Sequence, residues 1–159
     1  MKKAAVVYYS WSGNTAAVAE LISNKTGARL LEITPLRAYP SDYSTCVAQA
    51  KKEIRTGFMP ELKPISDNPD SYVLFFIGTP IWWYTMAPPV HTFLNSHDWS
   101  GKTIVPFCTH GGGGSGHFFE DVSGMCKKTI IIDGLELYGT GGKTAASDID
   151  DWLKFIDKQ

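Results

Sequence analysis

The chain has 159 residues, 43% of them hydrophobic and 19% charged, with a formal net charge of −1. That is the length of one domain and a globular composition, so disorder is excluded and a core can form without disulfides or metal. No block of Lys or Arg stands out, which argues against nucleic-acid binding, and no stretch approaches the ~20 apolar residues that cross a bilayer.

In chain order, Ala4–Tyr9 is a continuous apolar run rich in β-formers, the pattern of a strand buried on both faces. The opening MKKAAVVYY imitates a secretory leader, but the run ends at polar Ser10, too early for one. A Ser/Gly/Asn/Thr turn leads into a helix over Ala16–Ile22, closed by Asn24 and Gly27. Ala28–Ile33 reads as a second strand, stopped by Pro35. Ser41 or Asp42 caps a helix over Thr45–Arg55, with Val47, Ala50 and Ile54 inward and Lys51, Lys52 and Arg55 outward.

After a connector over Gly57–Pro69, Tyr72–Ile77 (YVLFFI) is the strongest central-strand signal. A long aromatic loop follows, then a short helix over Pro88–Asn95. Thr103–Cys108 is a strand despite Pro106. A glycine loop over Gly111–Gly116 precedes a helix over Ser115–Met125. Lys128–Ile132 is a further strand, broken at Asp133-Gly134 and resumed to Tyr138. The last helix, Ala145–Ile156, gathers Ile149, Trp152, Leu153 and Ile156 on one face. The alternation of strand and helix predicts a single domain over 1–159. Its fold class is α/β, a doubly wound five-stranded parallel sheet in the order 2-1-3-4-5 between two helical layers.

The three cysteines, Cys46, Cys108 and Cys126, are dispersed and odd in number, with no His at metal-site spacing. They read as reduced thiols of a cytoplasmic protein, and no metal is expected.

In an open parallel sheet, ligands bind beyond the carboxyl ends of the strands. There the chain places its three most unusual loops. The first, Ser10-Trp11-Ser12-Gly13-Asn14-Thr15, puts hydroxyls, an amide and a glycine at a helix start, where unpaired N–H groups attract phosphate. It lacks the lysine of a P-loop. The second, Gly78 to Pro89, contains Thr79, Pro80, Ile81 and the run Trp82-Trp83-Tyr84. Three consecutive aromatics in a loop suit stacking on a flat heteroaromatic ring. The third runs from Thr109 and His110 through Gly111, Gly112, Gly113 and Gly114 to Ser115, Gly116 and His117. It offers bare backbone to a planar ligand, and Ser115 is placed to cap the next helix.

The S-W-S-G-N-T segment resembles the phosphate loop of the flavodoxins, and the resemblance extends over the whole chain in length and element order. It is similar in particular to a bacterial flavodoxin-like subfamily with a W-Y-rich second loop and a T-H-G-G third loop. The resemblance implies FMN as cofactor, its phosphate held by Ser10, Ser12, Gly13, Asn14 and Thr15, with Trp11 beside them. It sets Thr79, Pro80, Ile81 and either Trp82 or Trp83 against the ring. Thr109, His110, Gly111 and Gly112 lie near the pyrimidine edge, with Ser115 and Gly116 closing the loop.

Many flavodoxins are strongly acidic and place a tyrosine in the third loop against the flavin. This chain is nearly neutral and has glycine there, which leaves one ring face open to a substrate or to another subunit, as in a homodimer. Electron transfer to a redox partner protein is one expected function. Reduction of a small quinone-like, nitro or azo acceptor with NAD(P)H is the alternative. No catalytic residue is assigned. A phosphoacceptor receiver on the same fold would need acidic residues at the ends of the first and third strands, which read Tyr8-Tyr9-Ser10 and Gly78-Thr79.

Overall fold

The computed structural model describes residues 3–159; Met1 and Lys2, the first part of the leader-like start, lie outside them. The apolar run at the start forms β1 (Ala4–Tyr8), followed by α1 (Asn14–Thr26), β2 (Arg29–Glu32), α2 (Tyr43–Thr56) and β3 (Leu74–Trp82). Then come β4 (Thr85–Met86), α3 (Pro88–Asn95), β5 (Thr103–His110), α4 (Phe118–Met125), β6 (Ile130–Ile131), β7 (Leu135–Tyr138) and α5 (Ala145–Ile156). The parallel path runs β2-β1-β3-β5 and ends on β6 and β7, which both pair with β5.

That is the expected order 2-1-3-4-5, with two departures from five strands. The edge strand is broken into β6 and β7. Ile104 pairs with Ile131 but Phe107 pairs with Leu135, so the edge carries one extra residue. Pro106 explains the break. Ile104 accepts from the Ile132 N–H, so Pro106, two residues on, faces the same edge with no N–H to give. Gly134 closes against the Pro106 carbonyl, where a Cβ would lie 2.5 Å from the oxygen.

The second departure is β4, which pairs antiparallel with the end of β3, Trp82 opposite Thr85. The expected aromatic loop is therefore a hairpin with a two-residue turn, Trp83-Tyr84. Both turn residues have positive φ, 49° and 69°, the backbone of a type I′ turn.

Alternate residues of each strand feed two cores. Val7, Phe75, Ile77 and Ile104 pack with Val90, Phe93 and Leu94 of α3 and with Phe118 and Val122 of α4. Val6, Phe76, Val105 and Phe107 pack with Val18 and Ile22 of α1 and with Ile149, Trp152 and Ile156 of α5. Burying each of these side chains contributes about 1.5–3 kcal/mol, which fixes strand register, because a one-residue slip exchanges the two cores. In α2 the inward face is Cys46, Ala50 and Glu53, with Val47 and Ile54 only half-buried. Glu53 tolerates burial because Tyr39 Oη donates to one oxygen at 2.5 Å and Gln49 Nε2 to the other at 2.8 Å.

Candidate functional site

Register brings the ends of β1, β3 and β5 level: Tyr8 lies beside Gly78, and Pro80 beside Thr109. The three loops open there onto one cleft of about 760 Å³. Of the residues expected at a site, Trp11, Ser12, Asn14, Pro80, Ile81, Trp82, Trp83, Thr109, His110 and Gly111 line it.

The first loop begins at buried Tyr9 and turns at Gly13, whose φ of 100° is a left-handed conformation that favours glycine. Ser10 Oγ accepts the Gly13 N–H at 3.1 Å and so shapes the turn. The first helical bond of α1 is made by the Ala17 N–H to Gly13, and no side chain caps the N–H groups before it. No acidic residue sits in that first turn. The contrast with α2 is direct: Asp42 there accepts the Thr45 N–H at 2.9 Å. Bonds from Thr45 and Ser44 hold the Asp42 carboxyl below the usual carboxylate range. Thr15 lies behind the loop, buried, its hydroxyl 2.7 Å from that of Thr109, so the first and third loops are tied together beneath the cleft.

The hairpin supplies the apolar wall. Trp82 is half-buried and meets Tyr39 and Tyr9 edge to face, at 5.0 and 5.7 Å between centroids. Trp83 lies further out. Its Nε1 donates to the Val47 carbonyl of α2 at 3.0 Å, and Lys51 Nζ sits 5.0 Å from a ring centroid. Thr79 is buried below the hairpin, where its Oγ1 accepts from the Ala87 N–H at 3.0 Å and donates to the Pro80 carbonyl at 2.8 Å. It positions the wall from behind.

In the third loop His110 organises the glycines. Its Nδ1 accepts from the N–H groups of Gly112 at 3.0 Å and Gly114 at 3.2 Å. While those bonds hold, the ring proton is on Nε2. Gly112, Ser115 and Gly116 are not among the lining residues. Gly116 packs against the hairpin tip, where a Cβ would lie 2.0 Å from the Tyr84 carbonyl oxygen, and that oxygen accepts the His117 N–H at 2.8 Å. Ser115 does not cap α4 as expected. The helix starts at Phe118, and the Ser115 N–H is held by Glu136 at 2.7 Å.

Several lining residues were not anticipated: Tyr43, Cys46, Val47 and Ala50 of α2 and Tyr138 at the end of β7; Tyr84, the third aromatic of the expected run, lines the cleft at the hairpin tip. Tyr138 stands 5.9 Å from the His110 ring, so an aromatic reaches the glycine loop from the neighbouring strand. The available signal was the placement of Tyr43 and Tyr138 at element ends, where a core has no use for them. Burial, with Glu53 nearby, pushes the Cys46 thiol up, so it lines the cleft as a small apolar group.

A flavodoxin family model matches residues 3–156. The chain is similar to a candidate flavoprotein from Bacteroides eggerthii, with 30% identity over 99% of both chains and a TM-score of 0.86. A flavoprotein from Lactobacillus acidophilus, solved in complex with FMN, shares the fold at 23% identity and a TM-score of 0.77, over 96% of this chain and 99% of that one. So does oxidised flavodoxin 2 from Bacillus cereus, at 17% identity and a TM-score of 0.64 over 99% of each. No curated protein shows significant sequence similarity to the chain. With the parallel α/β fold and the three-loop cleft described above, the match over nearly the whole length shows that this chain belongs to the flavodoxin family.

Proposed function

We propose that this chain binds one FMN without a covalent bond and passes electrons through it to a redox partner protein. The observation that carries the reading is the start of α1, which has neither side-chain cap nor first-turn acid and opens onto the same cleft as the aromatic hairpin. That donor set suits a phosphate dianion without any lysine. Ser12, Asn14 and the free N–H groups beyond Gly13 would hold the phosphate, with Trp11 flanking, while Ser10 shapes the turn and buried Thr15 braces it from behind. Trp82 and Trp83 would face the ring, with Pro80 and Ile81 at its edge and Thr79 bracing them from below. Thr109, His110 and Gly111 would meet the polar edge of the ring, and Gly112, Ser115 and Gly116 would keep the third loop in place. When bound, the flavin supplies the electron chemistry, and the protein supplies orientation and the electrostatic setting. Three free, buried cysteines suit a reducing compartment such as the cytoplasm.

One observation favours a second reading, an NAD(P)H-dependent reductase of quinone-like, nitro or azo compounds. Tyr43, Tyr84 and Tyr138 stand exposed around the cleft, which suits a second flat ring. Anaerobic titration of the FMN-loaded protein separates the two. The carrier reading expects two separate one-electron steps with a chemical reductant and little response to NADH or NADPH. Rapid bleaching by NAD(P)H with turnover on a quinone would replace it with the reductase.

A further inference from the structure

The side chains that surround the cleft are not a random sample of the surface. Tyr43, Trp83 and Tyr84 are exposed at its edge, and Phe58, just beyond the end of α2, is exposed in a second cleft that also takes in Glu53 and Ile54 of α2. Helix α2 thus has three exposed aromatic side chains on its cleft side and a fourth, Phe58, just beyond its end. Solitary exposed apolar residues such as Val73, Ile130 and Phe155 need no explanation, whereas aromatics gathered around one helix mark an interaction surface.

Along the same helix α2 turns outward Lys51, Lys52 and Arg55, all exposed. None forms an ion pair among the described residues. The one acidic side chain of the helix, Glu53, is buried on its inner face. On the opposite layer the charges are balanced: Asp150 of α5 pairs with Lys25 of α1 at 2.7 Å, and Asp151 stands 3.6 Å from Lys154. The unpaired cations of α2 therefore set a local basic face beside the cleft in a chain whose net charge is only −1. Such a face orients an incoming charged partner during diffusion.

We propose that the outer face of α2, with Lys51, Lys52 and Arg55 set among Tyr43, Phe58, Trp83 and Tyr84, is the docking surface for a redox protein with an acidic patch. This rests on the flavin-carrier reading and names its partner by charge. The four aromatic side chains bury on contact and supply affinity, while the three cations set orientation and approach rate. Lys51 also lies over Trp83, which lines the cleft, so the docking face reaches the electron-exchange site.

The test measures the sign of the charge at the point of electron exit. FMN-loaded protein is reduced anaerobically and mixed with ferricyanide, an anionic oxidant, or with hexaammineruthenium(III), a cationic one, over a range of ionic strength. The proposal expects the ferricyanide rate to fall by roughly tenfold from low to high salt and the hexaammineruthenium rate to rise. The double variant Lys52→Glu/Arg55→Glu, whose side chains point away from the cleft, should reverse or abolish both slopes while keeping FMN affinity. Opposite slopes in the parent protein, flat slopes with both oxidants, or slopes unchanged by the double variant would each overturn it. Failure to take up FMN would instead defeat the flavin reading. The docking face is then read on the free protein by NMR, using the paramagnetic anion tris(oxalato)chromate(III). Selective broadening of the α2 amides and the Trp83 indole N–H upholds the basic face, and uniform broadening overturns it.

Discussion

At the α1 end of the cleft, Ser12 and Asn14 are exposed, the helix start is uncapped, and the one strained backbone position is filled by glycine. At the hairpin end, Trp82 is wedged against two tyrosines and Trp83 is bonded to α2. Two bulky residues there hold positive φ, and Gly116 locks the third loop onto the tip. One end leaves Ser12, Asn14 and the first N–H groups of α1 free for a ligand; the other uses its polar groups on itself and offers only shape. Left-handed backbone at Trp83 and Tyr84 costs about 1–2 kcal/mol per residue, and a cleft wall made of rings is what that strain maintains.

The sharpest way to break this comparison is to substitute the glycine at each end. Gly116→Ala should destabilise the fold by about 1–3 kcal/mol or more, because its Cβ meets the Tyr84 backbone and neither strand of the hairpin can yield. Gly13→Ala has open space around it and should lose only the conformational term, about 1–2 kcal/mol. Urea denaturation of the two variants side by side decides it. Equal losses would mean that the third loop is not clamped to the hairpin.

Next come the donors. Ser12→Ala and Asn14→Ala should each weaken FMN binding by about 1.5–3 kcal/mol, the value of a hydrogen bond to a charged group, with the melting temperature of the free protein little changed. Unchanged affinity in both variants would remove the phosphate from this loop. Trp83→Phe keeps a ring but deletes the bond to Val47. It should cost the free protein about 1 kcal/mol and make the hairpin tip more accessible to protease, with a smaller effect on FMN affinity than either donor variant.

The smallest effect concerns His91, half-buried in the second cleft on the far side of the hairpin with Thr85 and Met86. Burial holds its pKa below the ordinary 6.5, partly opposed by Asp121. The unfolded chain therefore takes up the proton first. Stability falls as pH drops below about 6.5 and levels once the folded His91 is also protonated. His91→Gln should flatten that part of a pH–stability curve and leave FMN binding at pH 7 unaltered.

Elements with a strong periodic signal were legible in the sequence. Apolar runs located the central strands, and the Asp133-Gly134 break predicted the split edge. The antiparallel β4 was hidden because type I′ turns usually advertise themselves with Asn-Gly, whereas here Trp-Tyr occupies the turn under tertiary constraint. The inward face of α2 was read as Val47, Ala50 and Ile54, which omits Glu53, because its burial depends on Tyr39, a partner from another segment. The first loop was readable because its donors are local. The wall was only half readable, because Tyr43 and Tyr138 reach it through the fold and not through any motif.

The claim that the α1 end is a phosphate site for a flavin is tested most directly by titrating the free protein with FMN and with riboflavin, in parallel, by fluorescence quenching. The account predicts tight FMN binding and riboflavin binding weaker by at least about tenfold, since riboflavin lacks the group that hydrogen-bonds to the loop. Equal affinity for both, or uptake of neither, would contradict it.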